Sequence, residues 1–434
     1  MGNFDQIQPD PYSSSGSGSG SCTLDSPVNE SSVTDELSDF RHKLRQLETV
    51  MLSDSYEDSE NGNVDIQIWK QMVEGDRKRD LKQVLIACAD AVSSNDFSTA
   101  WILISELQQM VSVSGEPIQR LGACMLEGLV ARLSGSGKEP ASHNANMLYK
   151  VCPCFKFGYM SANGAIAEAM KDEKRVHIID FRIGQGSQWV PLIRAFAARC
   201  GRPPHIRITA FDDSMSAHAL DIVGERLCRL ARSFNLPFKF DPVHVSVSEA
   251  GLQHFRLQPR EALAVNFAFV LHHMPDESVS VENQRDRILR LVRSMKPKVV
   301  TLVEQESNTN TTAFYPRFSE ALDYYNAVFE SMDASFEREN KERINVEQHC
   351  LAKGVVNVIA CERDERVERH ELVGNWKLRF MMAGFNPYPL NSVVNRTIKT
   401  LMKKYSERYR VEERDGALYL GWMNRDLVAS CAWK

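Results

Sequence analysis

VHIIDFRIGQGSQW, residues 176–189, begins as a strand and ends as the entry to a helix. Val176, Ile178 and Ile179 are β-formers, and the apolar run stops at an acidic residue, Asp180. Gly184 and Gly186 follow where a chain leaving a parallel strand must bend sharply. Beyond them Val190, Leu192, Ile193 and Phe196 mark a helix that Ser187 or Gln188 would cap. Strand, acidic end, glycine turn and helix read as the first βα unit of a doubly wound sheet, a unit that often holds a nucleotide.

Working outward toward the C-terminus, the alternation continues. His205–Phe211 (HIRITAF) is a second strand ending at Asp212 and Asp213. A helix carrying Ala219, Leu220, Ile222, Val223, Leu227 and Leu230 leads to a third strand, Phe238–Val247. Ala262–Leu271 is almost wholly apolar, as expected of a strand covered on both faces. A helix over Asn283–Met295, a strand over Val299–Glu304, a long helix over Phe314–Met332, a strand over Val355–Cys361 and a helix over Asn375–Ala383 follow. Tyr409–Glu413 and Ala417–Trp422 flank Arg414-Asp415-Gly416 as a hairpin, and Leu427–Trp433 is a last apolar run. Trp422 and Trp433 are expected to be buried there. The expected fold is α/β: a methyltransferase-like doubly wound sheet with a closing antiparallel hairpin and an α-helical cap.

Working outward the other way, four apolar-periodic segments precede the first strand. Leu81, Val84, Leu85, Cys88 and Val92 line one helix; Ala100, Leu103, Leu107 and Met110 line a second; Ile118–Leu133 and Met147–Met170 supply two more. Leu81, Leu85, Leu103 and Leu107 either pack within the cap or form a partner and dimer surface. Residues 1–75 read as an arm too poor in apolar residues to fold, with one amphipathic helix at about 35–52 carrying Leu37, Phe40, Leu44, Leu47 and Met51. That helix either docks on its own globular part or binds a partner. Residues 76–434 form one domain, with the cap at about 76–145 and the α/β core at about 146–434.

The formal net charge of -5 and pI near 6.2 leave no bulk cationic field for indiscriminate nucleic-acid binding. Ten scattered cysteines, no opening signal peptide and no apolar run of membrane-spanning length point to a reduced intracellular protein. The one close thiol pair, Cys152 and Cys154, lacks the second pair or histidine couple that a zinc site requires, so no metal is expected. Methyl transferases that use S-adenosylmethionine carry glycines two, four and six residues after the first strand's acidic end. Here those positions are Arg182, Gly184 and Gly186, and a long cationic side chain at the first would occupy the ligand's space. The candidate cofactor-contacting set is therefore Asp180, Gly184, Gly186 and Asp212, the last as a ribose acceptor, alongside an ordinary structural role for each. His272 and His273 are general-base candidates by position, and Glu304 and Glu306 a possible acid/base pair, but no nucleophile or partner spacing completes a catalytic set.

These motifs in this order resemble the GRAS family of plant transcription regulators over about residues 76–434. The first leucine-rich region matches Leu81–Leu107, VHIID matches Val176–Asp180 with Gln185-Gly186 and Gln188-Trp189 behind it, and the second leucine-rich region spans Ala219–Leu252. The PFYRE region is similar to Phe314–Pro316 and Arg366–Glu371, and SAW to Arg379–Phe385 and Ser430–Trp433. Residues 37–52 and 303–310 are similar to the branch named for phytochrome A signal transduction. The resemblance implies a non-enzymatic transcriptional co-regulator in light or hormone signalling, without a cofactor. It also implies partners among transcription factors and other GRAS proteins, a homo- or heterodimer, only indirect or weak DNA contact, no membrane, and residence in nucleus and cytoplasm. The alternatives are an S-adenosylmethionine-dependent methyltransferase or small-ligand receptor, and a sequence-specific DNA-binding factor.

Overall fold

The computed structural model describes residues 80–135, 151–212 and 215–434, all within one contact unit, Gln71–Lys434. The arm with its expected helix at 35–52, the start of the fourth helix at Met147, and Asp213 lie outside the described residues.

Five parallel strands follow the alternation read from the sequence: β1 (Arg175–Asp180), β2 (His205–Phe211), β3 (Phe238–Val243), β4 (Ala262–Ala268) and β5 (Val299–Gln305). The third is shorter than expected, ending at Val243 just after Pro242, on the edge of the sheet where a proline's missing donor is tolerated. Four antiparallel strands complete the sheet: β6 (Pro387–Tyr388), β7 (Tyr409–Arg414), β8 (Ala417–Trp422) and β9 (Arg425–Trp433). The order is β3-β2-β1-β4-β5-β9-β8-β7, with β6 also on β9. The order reverses at β1/β4, which puts the Val176–Trp189 unit at the switch point of a methyltransferase-like doubly wound sheet. The last apolar run is thus an interior strand. β5 lies along one side of β9, and β8 followed by β6 along the other.

Alternation along β1 sends Val176 and Ile178 to one face and Ile179, with Phe181 beyond it, to the other. On the first face they meet α4 (Pro153–Ala169), α5 (Trp189–Ala197) and α6 (Ala217–Ser233). On the second, Phe181 stacks on Phe267 with ring centroids 4.8 Å apart. The same core contains α7 (Gln284–Ser294) and α10 (Val373–Met382), whose Phe380 stacks on Trp433 at 5.0 Å. Trp422 and Trp433 are both buried, as the hairpin reading requires.

The cap contains α1 (Leu81–Ser93), α2 (Phe97–Met110) and α3 (Pro117–Ser134). Asp80 and Asp96 cap the first two through Lys82 and Thr99 amides, and Gly135 ends the third in the left-handed region. Later chain also packs here: α3 lies against α8 (Phe314–Asp333) and α9 (Ala352–Ala360). The strand expected over Val355–Cys361 is instead α9. A short run of Val, Ile and Ala fits a buried helix as well as a buried strand, and here the π turn Glu347–Leu351 feeds it directly from a helical turn. A further helix, α11 (Ser392–Tyr405), was not expected, although Val394, Ile398, Leu401 and Met402 recur at helical spacing; only Ile398 and Met402 are buried. A buried ionic joint fastens cap to core. Arg120 of α3 reaches Glu347 at 2.8 Å and Asp333 at 2.9 Å, and Arg343 reaches Glu347 at 2.6 Å.

Candidate functional site

The carboxyl ends of β1 and β2 are where this fold places a ligand. Gly184 and Gly186 both adopt positive φ, +47° and +67°, so the turn has the sharp bend read from its glycines. A Cβ on Gly186 would stand 3.1 Å from Val223 and Leu227, so the helix α6 closes against the turn itself. Asp180, however, does not face a crevice. It is 2% exposed; one oxygen accepts from Trp189 Nε1 at 2.7 Å, the other from Asn266 Nδ2 and the Arg182 amide, each at 3.2 Å. Asp212, 3% exposed, accepts from the Gly184 amide at 3.0 Å.

Behind Asp180 the polar chain continues inward. Asn266 on β4 and Gln188 exchange two amide hydrogen bonds at 3.1 and 3.2 Å, Asn163 of α4 donates to the Gln188 carbonyl at 2.7 Å, and Thr301 of β5 donates to Asn266 Oδ1 at 2.9 Å. The motif residues Asp180, Gln188 and Trp189 thus tie β1, β4, β5 and α4 into one knot. Burial pushes the Asp180 carboxyl up to about 6, and the bonds from Trp189, the Arg182 amide and Asn266 oppose that rise. The four candidate residues Asp180, Gly184, Gly186 and Asp212 are adjacent, but both carboxylates are engaged by the turn's own donors. With Arg182 at the first glycine position, this set does not fit a bound S-adenosylmethionine.

A second cluster lies past the ends of β4 and β5. His272 Nδ1 is 2.5 Å from Glu304 Oε2, while Glu304 Oε1 accepts the Val270 and Leu271 amides at 3.2 and 2.8 Å. Burial would raise the Glu304 carboxyl, yet His272 and these amides hold it below its ordinary value. The loop after α9 brings Glu368 and His370 to the same place. Glu368 Oε2 stands 3.5 Å from His272 Nε2 and 3.1 Å from His370 Nε2, and the His272 and His370 rings lie 4.4 Å apart. His272 therefore has a carboxylate partner after all. Glu304 and Glu306 do not form a pair: Glu306 accepts from the Val373 amide at the start of α10 at 2.9 Å. Glu368 and His370 escape sequence reasoning because their partners are far away in the chain.

Leu81, Leu85, Leu103 and Leu107 are all buried between the cap helices. Phe97 and Ile102 occupy the cap's outer side, 48% and 42% exposed. On α10, Leu378, Met381 and Met382 recur at helical spacing on the solvent side, 56%, 48% and 81% exposed. Cys152 and Cys154 are both buried with free thiols.

A doubly wound sheet whose switch-point carboxylates are held by its own motif residues, joined to a helical cap, defines the class of fold. The GRAS domain family model matches residues 81–434, and the chain belongs to that family. It is 61% identical over 433 residues to the Scarecrow-like transcription factor PAT1 of Arabidopsis thaliana, covering 93% of this chain and 88% of that one. It is 53% identical to chitin-inducible gibberellin-responsive protein 2 of Oryza sativa subsp. japonica, covering 94% and 79%. The crystal structure of SCL7 from Oryza sativa superposes with a TM-score of 0.73 at 32% identity, covering 82% of this chain and all of that one.

Proposed function

We propose that this chain is a plant transcriptional co-regulator that works through protein–protein contacts in light or hormone signalling, rather than an enzyme. The observation that carries the reading is the closed knot at the strand ends. The residues a methyl donor or other nucleotide would need are engaged in holding the sheet together. Two relatives, a transcription factor and a gibberellin-responsive protein, support the signalling assignment. The exposed apolar stripe of α10 supports contact with other proteins, such as DNA-bound transcription factors and other GRAS proteins. On this reading residues 1–75 are an accessory arm, residues 76–434 are the regulatory domain, and the protein resides in nucleus and cytoplasm.

Affinity purification of the full chain from plant cells, read by mass spectrometry, is expected to recover transcription factors. The aspartate pair Leu378→Asp and Met382→Asp should reduce that recovery while leaving the circular dichroism unchanged. Saturable binding of S-adenosylmethionine in calorimetry would overturn the non-enzymatic reading. Specific retention on one DNA sequence through a salt titration would favour direct DNA recognition instead.

A further inference from the structure

The His272–Glu368–His370 cluster has the geometry of a metal site. One ligand atom from each residue falls within 4.8 Å of the others, and all three side chains are at least 97% buried. Four donors around a tetrahedral zinc ion, each about 2.0–2.1 Å from it, stand about 3.3 Å from one another. The two edges through Glu368 Oε2, at 3.5 and 3.1 Å, bracket that spacing.

The protons argue the same way. His272 Nδ1 faces a carboxylate oxygen at 2.5 Å, and an oxygen acceptor there places the proton on Nδ1. With Nδ1 engaged by Glu304, the other ring nitrogen, Nε2, faces Glu368. This is the carboxylate–histidine arrangement that orients metal-ligating imidazoles, and the two backbone amides on Glu304 hold the carboxylate in turn. His370 supplies the second observation. It is 1% exposed; its Nε2 stands 3.1 Å from Glu368 Oε2, and its Nδ1 has no hydrogen-bond partner. A buried imidazole held by one carboxylate alone, with a ring nitrogen left unsatisfied, is costly, and a ligand shared with Glu368 would offset that cost. The neighbouring guanidinium groups do not fill the place, since Arg366 donates to the Thr309 and Asn310 carbonyls and Arg369 to the Arg363 and Arg366 carbonyls.

We propose that His272 Nε2, His370 and Glu368 bind one zinc ion, with Glu304 as the positioning carboxylate behind His272. Three protein donors leave the fourth position of the tetrahedron to a water, and the ion would pin the Arg366–Glu371 segment to the ends of β4 and β5.

The test uses the full chain without a polyhistidine tag, produced with zinc in the medium. Mass spectrometry of metals is expected to give about one zinc per chain. His370→Asn should remove it, and Glu304→Gln should weaken retention against a chelator by about tenfold to a hundredfold. Cobalt taken up on refolding in its presence should give a tetrahedral visible spectrum without a thiolate charge-transfer band, which separates this site from the nine free cysteines described. That spectrum keeps the proposal falsifiable should His370→Asn fail to fold. A metal-free wild-type chain after refolding with zinc, undiminished zinc in a folded His370→Asn protein, or a thiolate band would each overturn the proposal.

Discussion

Replacing Trp189 with phenylalanine removes one donor from the strand-end knot and leaves most of the ring packing. The lost bond is Nε1–H to Asp180 Oδ2, 2.7 Å long and wholly buried. Burial raises Asp180 from 3.8 to about 6, so the folded protein holds a proton there more tightly than the unfolded chain. Its contribution is fully favourable below 3.8 and declines as pH rises through about 6. A displacement of roughly two units is worth about 3 kcal/mol, present at acid pH and lost above about pH 6. The Trp189 bond opposes this loss because it stabilises the ionised form, and a hydrogen bond to a charged group contributes about 1.5–3 kcal/mol. At about pH 7.5 Trp189→Phe should therefore cost about that much beyond its packing loss. At about pH 5, where the native carboxyl is largely protonated, the bond is a neutral one and the cost should shrink by about 1–2 kcal/mol. The packing loss is the same at both pH values and cancels in the comparison. Urea unfolding followed by far-UV circular dichroism gives both numbers. A cost independent of pH would refute the assignment of Asp180 as a buried, indole-held carboxyl.

Three further outcomes follow from other contacts. Gly186→Ala places a Cβ at positive φ and 3.1 Å from α6, so the melting temperature should fall by the equivalent of about 1–3 kcal/mol. Arg120→Ala strips the cap-to-core joint and leaves Glu347 with one buried cation fewer; a loss of about 3–5 kcal/mol is expected, with Arg120→Lys recovering only part of it. His177 is held down to about 4 by burial and by Arg207, so its neutral form must be protonated as pH drops. It contributes stability above about pH 6.5 that disappears on the way down to about pH 4, and His177→Gln should flatten that part of the stability curve.

What the sequence displayed and what it concealed divide along physical lines. Strands covered on both faces announce themselves as continuous apolar runs, which is why β1, β2, β4 and β5 were legible to within a few residues. Short apolar stretches carry no period of their own, and α9 could not be told from a strand for that reason. α11 was legible too, since Val394, Ile398, Leu401, Met402 and Tyr405 recur at helical spacing although only two of its residues are buried. At the site, Asp180 and the glycines stood out, but their use did not. Whether a carboxylate faces a crevice or an indole depends on where Trp189, Asn266 and Gln188 converge, and Asn266 comes from another strand. The His272 cluster was hidden in the same manner, since metal-ligand spacing rules look for neighbours and its members come from two distant segments.

The place of β9 has a consequence for how the chain folds. It fills the gap between β5 and β8, and its partner β5 lies more than a hundred residues earlier, so the closing step must shut a very long loop. Until it does, β5 presents an unpaired apolar edge, the kind of surface through which partly folded chains pair with one another. Refolding yield should fall steeply with protein concentration, and a chaperone that shields strand edges would act at that step.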